Sequence, residues 1–210
     1  MFYFYLDSQG NLVNYFNGAV EVSIQGSTNG YTHDLYLGNC TTLADCGTLL
    51  TGGNGRVPIV DGVARFQNLQ IRTADTAYVL QYIGYDTTNR VFAATTSFPF
   101  DVSVGPAYMM AFNISVGRAT GGLPFAPNPV VAIVDRGNNI LGNMSSCNVS
   151  VSIVLAPVGM RIEPSNGTTA TVHQGLASFS GLYIQLAGGP IQLRFTSNCV
   201  SFFCRAGSCT

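Results

Sequence analysis

Apolar and polar residues alternate with a period of two along most of this chain. Tyr108, Met110, Phe112, Ile114 and Val116 alternate with Met109, Ala111, Asn113 and Ser115, which predicts a strand with one buried face. Residues 129–134 predict a second strand, ending in the turn cluster Asp135-Arg136-Gly137-Asn138-Asn139. In a third, Cys147, Val149, Val151 and Ile153 alternate with Asn148, Ser150 and Ser152. Residues 169–172, 176–182 and 190–197 follow as further strands. The turn His173-Gln174-Gly175 predicts a hairpin with glycine at positive φ. No stretch carries a helical period over the roughly 10–12 residues a helix needs. Short strands punctuated by Gly, Asn, Pro and Ser predict an all-β chain.

The pattern occurs twice. Gly62-Val63-Ala64-Arg65-Phe66, followed by Leu69, Ile71, Ala74, Tyr78, Leu80 and Tyr82, corresponds to Gly175-Leu176-Ala177-Ser178-Phe179, followed by Leu182, Ile184, Ala187, Ile191, Leu193 and Phe195. Phe66 to Phe179 and Tyr82 to Phe195 are both 113 positions apart, with no insertion between. Upstream, Val20-Glu21-Val22-Ser23-Ile24 matches Val149-Ser150-Val151-Ser152-Ile153, and residues 4–12 match residues 132–140. Self-similarity at this scale predicts two tandem β-domains of one kind, residues 1–105 and 106–210, meeting near Gly105-Pro106. Phe66, Phe179, Leu80, Leu193, Tyr82 and Phe195 are the expected core. Each copy is expected to be incomplete at a different end. Nothing before Phe2 matches the strand at 108–116. The second copy has no counterpart of Ser97-Phe98-Pro99-Phe100-Asp101-Val102-Ser103-Val104 and ends in a cysteine-rich tail, residues 199–210.

Composition narrows the class. The chain of 210 residues is 47% hydrophobic and 9% charged, against roughly 25% charged in an average soluble protein. No apolar run approaches the ~20 residues of a membrane-spanning helix, so no membrane span is expected. Lysine is absent, the nine basic residues are scattered arginines and the net charge is −1. That is no nucleic-acid footprint. A surface this poor in charge favours association unless something else solubilises it. Met1-Phe2-Tyr3-Phe4-Tyr5-Leu6 lacks a basic n-region and reaches Asp7 too soon for a secretory signal. Either a signal has been removed or Met1 is not the original start, and the truncated first copy favours the second.

The elements "PVVAIVDRGNNILG", "VSVSIV", "GVARFQNLQI", "AYVLQYIGY" and "SFPFDVSVG" resemble the tandem immunoglobulin-like repeats of large extracellular and cell-surface proteins, the invasin-type and related eukaryotic repeats. The two-domain unit also looks like the protomer of a glycosylated extracellular helical fibril from an aquatic microbe. The resemblance implies two immunoglobulin-like β-sandwiches, the first lacking its first strand and the second its last. It covers most of the chain but rests on turn and core motifs, which specify fold far better than function. In the resembled fold the strands carrying Cys147 and Cys199 are antiparallel neighbours. Both cysteines lie on the inward parity, so the resemblance implies a Cys147–Cys199 bridge. Cys40 and Cys46 flank a short loop, and Cys204 and Cys209 lie close in the tail, so each pair is a candidate local bridge. Six cysteines suit an oxidising compartment, with buried or free thiols as the alternative.

Five sequons stand at Asn39, Asn113, Asn143, Asn148 and Asn166. Asn113 and Asn148 fall on the polar parity of their strands. They are expected to carry N-linked glycans if the source is eukaryotic; the plainer reading is outward polar residues. Catalysis has thin support: His33 and His173 sit in turn-like settings with no local nucleophile–base set. Thr51-Gly52-Gly53-Asn54-Gly55 lacks the Lys-Ser/Thr of a phosphate loop. Asp7 and Asp135 are better read as turn-formers than as calcium ligands. No enzyme activity, cofactor or metal is expected. The leading expectation is an extracellular or cell-surface structural subunit of a fibre or stalk. It would assemble with copies of itself head to tail, by strand complementation or as part of a longer repeat array. Phe2, Tyr3, Phe4, Tyr5, Leu6, Val200, Phe202 and Phe203 would then lie at the junctions. The alternative is an adhesin recognising glycan or protein through the loop at residues 26–53, where Tyr31 and Tyr36 are the exposed aromatic candidates.

Overall fold

The computed structural model describes residues 2–4, 6, 8–13, 16–31, 35–37, 48–50, 55–117, 119–200, 204–205 and 208–209. The protein is all-β. Among the described residues the only helical element is a 3-10 turn at Ser165–Gly167. The chain divides into two compact units, Met1–Ser103 and Val104–Thr210.

In the first unit the strands are β1 (Phe2–Phe4), β2 (Gly18–Gly26), β3 (Leu35–Leu37), β4 (Thr48–Leu49), β5 (Arg56–Val60), β6 (Val63–Arg65), β7 (Leu69–Ile71), β8 (Asp75–Asp86), β9 (Val91–Thr96) and β10 (Phe100–Val102). They pair in the order β1-β6-β5-β2-β8-β10, with β9 also on β8, and separately as β4-β3-β7. Val22 and Ile24 on β2 face Tyr82 and Leu80 on β8, and these four are buried together with Val20 and Tyr78. Ile59, Ala64, Phe66 and Leu35 close the same core. Period-two spacing is the cause, because successive side chains of a strand point to opposite faces.

The second unit contains β11 (Met109–Ile114), β12 (Val130–Val134), β13 (Asn148–Leu155), β14 (Ile162–Glu163), β15 (Thr169–Thr171), β16 (Leu176–Ser178), β17 (Tyr183–Ile184), β18 (Gln192–Ser197), β19 (Cys204–Arg205) and β20 (Ser208–Cys209). They form the sheets β11-β12-β16, β15-β13-β18, β14-β17 and β19-β20. Val131, Ile133, Ala177 and Phe179 from the first pack with Val149, Val151 and Phe195 from the second in one core.

The two units share their register. Val22 faces Tyr82 as Val151 faces Phe195. Phe2 faces Arg65 as Val130 faces Ser178. Leu35 faces Ile71 as Ile162 faces Ile184. The 113-residue offset therefore holds in space for the repeated segment. One device recurs at the hairpin: Gly62 and Gly175 have φ of +74° and +77°, and a Cβ on either would lie 2.6 Å from the carbonyl oxygen of Val13 or Leu141. A side chain there meets both an unfavourable backbone conformation and fixed backbone.

The units differ at their edges. In the second, β12 lies between β11 and β16; in the first, β1 pairs with β6 and carries no second strand among the described residues. Conversely β8 lies between β2 and the strands β9 and β10, whereas β18 pairs with β13 and has no second described strand. This difference corrects one expectation. Leu193 was expected in the core, but it is only partly buried, while its counterpart Leu80 is 5% exposed. The strand that flanks Leu80 has no counterpart beside Leu193 among the described residues. The first strand of unit 2 also departs from strict alternation. Met109 and Met110 are both buried, while Phe112 and Ile114 are exposed beside a register irregularity.

Gly62→Ala and Gly175→Ala are each expected to lower stability by about 1–3 kcal/mol, read as a reduced urea midpoint with unchanged m-value.

Candidate functional site

The most distinctive surface lies in unit 2, where β11 and β18 border the core. Phe112 and Ile114 of β11 carry 42% and 39% exposure although their spacing matches a core face. The Phe112 ring meets Phe195 of β18 edge-on, with centroids 5.2 Å apart. Ile191 and Leu193, partly buried, line the same side of the core. Their counterparts Tyr78 and Leu80 in unit 1 are buried, with β9 and β10 laid along β8. An open strand edge over exposed apolar side chains is unfavourable in water and is a template for another strand.

The end of β18 is closed differently from the end of β8. Cys147 and Cys199 form a disulfide across β13 and β18, with Cα atoms 5.5 Å apart and 52 positions between them in sequence. In unit 1 the paired positions are Gly18 and Asp86. There Asp86 Oδ1 accepts hydrogen bonds from the Arg90 and Thr88 amides and the Thr88 hydroxyl at 2.7–2.9 Å. The Arg90 amide and Thr88 hydroxyl hold this carboxyl below its usual pKa. That turn feeds the chain into β9. Hence unit 1 extends its sheet at the point where unit 2 is cross-linked. Cys204 and Cys209 face each other in the register of the tail hairpin. Cys40 and Cys46 lie outside the described residues.

Of the sequons, Asn113, Asn143, Asn148 and Asn166 are all exposed and all belong to unit 2; Asn39 lies outside the described residues. Asn148 opens β13, and Asn113 sits on β11 at the register irregularity between Phe112 and Ile114. Among the expected junction residues, Phe2, Tyr3 and Phe4 form β1 against β6, Leu6 is half exposed and Val200 packs at the border of the unit 2 core. Tyr5, Phe202 and Phe203 lie outside the described residues.

The remaining candidates are structural in their geometry. Asp135 is buried, with Oδ2 accepting the Gly105 amide at 2.7 Å and Oδ1 the Asn139 amide at 2.9 Å. It holds the segment entering β11 against its own turn. His173 exchanges backbone hydrogen bonds with Leu176 in the β15–β16 hairpin. Tyr31 is exposed, but Tyr36 is half buried, its ring 5.2 Å from the Arg72 guanidinium. No three His, Cys, Asp or Glu side chains converge among the described residues. No helix among them is long and apolar enough to cross a membrane. The sequence reading assigned nothing to Phe125, which is buried in the unit 2 core. Its only signal was an apolar pair around a proline, and the first copy offered no counterpart for comparison.

The chain matches no known family model, no characterised protein and no solved structure. Replacing Cys147 and Cys199 together by alanine is expected to cost about 2–4 kcal/mol in urea unfolding, with most of the loss reproduced in the unmodified chain by a reducing agent.

Proposed function

We propose that the chain is a structural subunit of an extracellular fibre or stalk, made of two immunoglobulin-like β-sandwiches that assemble head to tail. The observation that carries this reading is the far edge of β18, which takes no second strand among the described residues. Unit 1 supplies the template: the same edge of β8 is covered by β9 and β10, and the side chains beneath are buried. A strand from a neighbour laid along β18 would satisfy backbone groups and cover Phe112, Ile114 and Leu193 in one step. The complementary want is at β1, whose second edge takes no described strand while β12 takes β11. A neighbour's strand laid on either edge makes a contact between unlike surfaces, and such heterologous contacts propagate into filaments unless the rotation closes a ring. A net charge of −1 gives little electrostatic repulsion against such association.

The exposed sequons fit the same reading. Sugars at Asn113 and Asn148 would solubilise the outer faces of both sheets and leave the strand edges as the route of association. The Cys147–Cys199 bridge fits an oxidising compartment.

Negative-stain imaging of native material is expected to show long filaments with an axial repeat set by the two-unit chain; discrete particles overturn the proposal. Mass spectrometry of the same material is expected to find sugar on the Asn113 and Asn148 peptides. In sedimentation velocity the isolated chain is expected to associate as concentration rises, and a monodisperse monomer removes the physical basis of the reading.

A further inference from the structure

We propose that the end of unit 2 opposite its disulfide is a lipid-binding tip, which seats on an anionic bilayer surface by inserting aliphatic loop residues. The contact is with a surface and is not a span. It goes beyond the assembly reading and does not rest on it.

Three loops, residues 119–123, 155–161 and 185–191, meet at the ends of β13 and β18 away from Cys147 and Cys199. The Gly122 amide donates to the Ile184 carbonyl and the Phe125 amide to the Leu182 carbonyl, both at 2.8 Å. These bonds lay the first loop along β17, which leads into the third. A Cβ on Gly121 would lie 2.8 Å from the Ala187 nitrogen, and one on Gly188 2.7 Å from Met160 Cε, so the third loop touches both others. The Met160 amide donates to the Pro157 carbonyl at 3.3 Å, across a turn whose third residue, Gly159, has φ of +86°. Val158 stands at the corner of that turn and is fully exposed (101%). Leu123, Leu155 and Leu186 of the same loops are each about half exposed.

Unit 1 shows that the fold does not require an apolar end here. Its β2 has a register irregularity at Ile24–Gly26, as β13 has at Ile153–Leu155. Just beyond it stand Ser27-Thr28-Asn29-Gly30 in unit 1 and Ala156-Pro157-Val158-Gly159 in unit 2. The Thr28 and Thr76 hydroxyls are 2.8 Å apart, and the Asp75 carboxylate accepts the Asn29 amide at 2.9 Å and the Asn29 side-chain amide at 2.7 Å. At the 113-residue offset, Gly188 and Gly189 stand in place of Asp75 and Thr76. The polar cross-links of unit 1 are thus replaced by aliphatic side chains in water, the mark of an interaction site. Both loops are internal to their units, so chain termini play no part in the contrast.

The composition of the tip selects the partner. Residues 119–130, 154–160 and 185–193 contain no charged side chain, and each run is bordered by an arginine, Arg118, Arg161 or Arg194. Arg161 and Arg194 are exposed; Arg118 lies outside the described residues. The acid closest to these runs in sequence, Glu163, accepts the Ser165 amide. Aliphatic side chains with cations behind them match a hydrocarbon layer with anionic headgroups above it. Protein hot spots are built on Trp, Tyr and Arg in packed pockets, whereas the projecting residues of this tip are aliphatic. A bilayer also needs no cavity shaped to receive Val158.

The test mixes the full chain with vesicles of phosphatidylcholine, alone or with phosphatidylglycerol, and measures co-sedimentation. Binding to the anionic vesicles is expected, weaker at high salt and weaker on phosphatidylcholine alone. Val158→Asp and Leu186→Asp are each expected to weaken it at least about tenfold. Their urea midpoints are expected to match the parent chain, because both positions are exposed. Arg161→Gln is expected to lower affinity about fivefold and to flatten the salt dependence. No binding to anionic vesicles, equal binding to both vesicle types, or full binding by Val158→Asp overturns the proposal. If the parent chain ignores vesicles and Val158→Asp abolishes its self-association, the tip is a contact between copies and the proposal falls. Filaments in native material are a separate observation, so the tip and the fibre can fail independently.

Discussion

The antiparallel pairing of β2 with β8, and of β13 with β18, is the interaction on which everything else depends. Each pair places apolar side chains directly opposite one another: Val22 across from Tyr82 and Ile24 across from Leu80, and Val151 across from Phe195 and Ile153 across from Leu193. A slip of one residue would turn each ladder to solvent, so burial locks the register. With this pair set, the hairpin of β5 and β6, or of β15 and β16, brings Phe66 or Phe179 onto the same core. There each phenylalanine stacks edge-on with the aromatic residue of the facing strand, Tyr82 or Phe195.

Once the central pair is formed, the problem left is its outer edge, and the two units treat it differently. In unit 1, β8 runs twelve residues from Asp75 to Asp86, and the Asp86 turn sends the chain back as β9, with β10 covering the other half of the strand. In unit 2, β18 is six residues long and the position of Asp86 is a cysteine bonded to Cys147. A covalent link holds β18 to β13 without needing a strand on its far side. It does nothing for the apolar side chains that a covering strand would bury, which is why Leu193 stays partly exposed where Leu80 does not.

The same logic applies at the opposite border of the core. Unit 2 contains both β11 and the segment that seats Phe125 against β17; in unit 1 a cleft lies beside β7 instead. Neither catalytic nor metal chemistry enters this comparison. The polar groups drawn into the structure, Asp135 and Asp75 among them, accept backbone amides and shape turns.

The sequence by itself determined the local features. Period-two alternation marked β2, β8 and β13 because side-chain direction in a strand is set by the backbone within a few residues, while an unbroken apolar run marked β12. The constant offset identified the repeat, and Gly175 was readable as a positive-φ hairpin residue because backbone strain is also local. The outward parity of Asn148 was legible for the same reason, whereas at Asn113 the strand breaks its alternation. Tertiary structure alone decided which edges are covered. Whether Leu193 or Phe112 is buried depends on a strand far away in sequence, and no pattern within their own strands reports it. Phe125 was invisible for the same reason: its burial comes from the β17 carbonyls and the core beneath them, contacts more than fifty residues distant. Long-range pairing, not propensity, turned a readable set of strands into two units with different open edges.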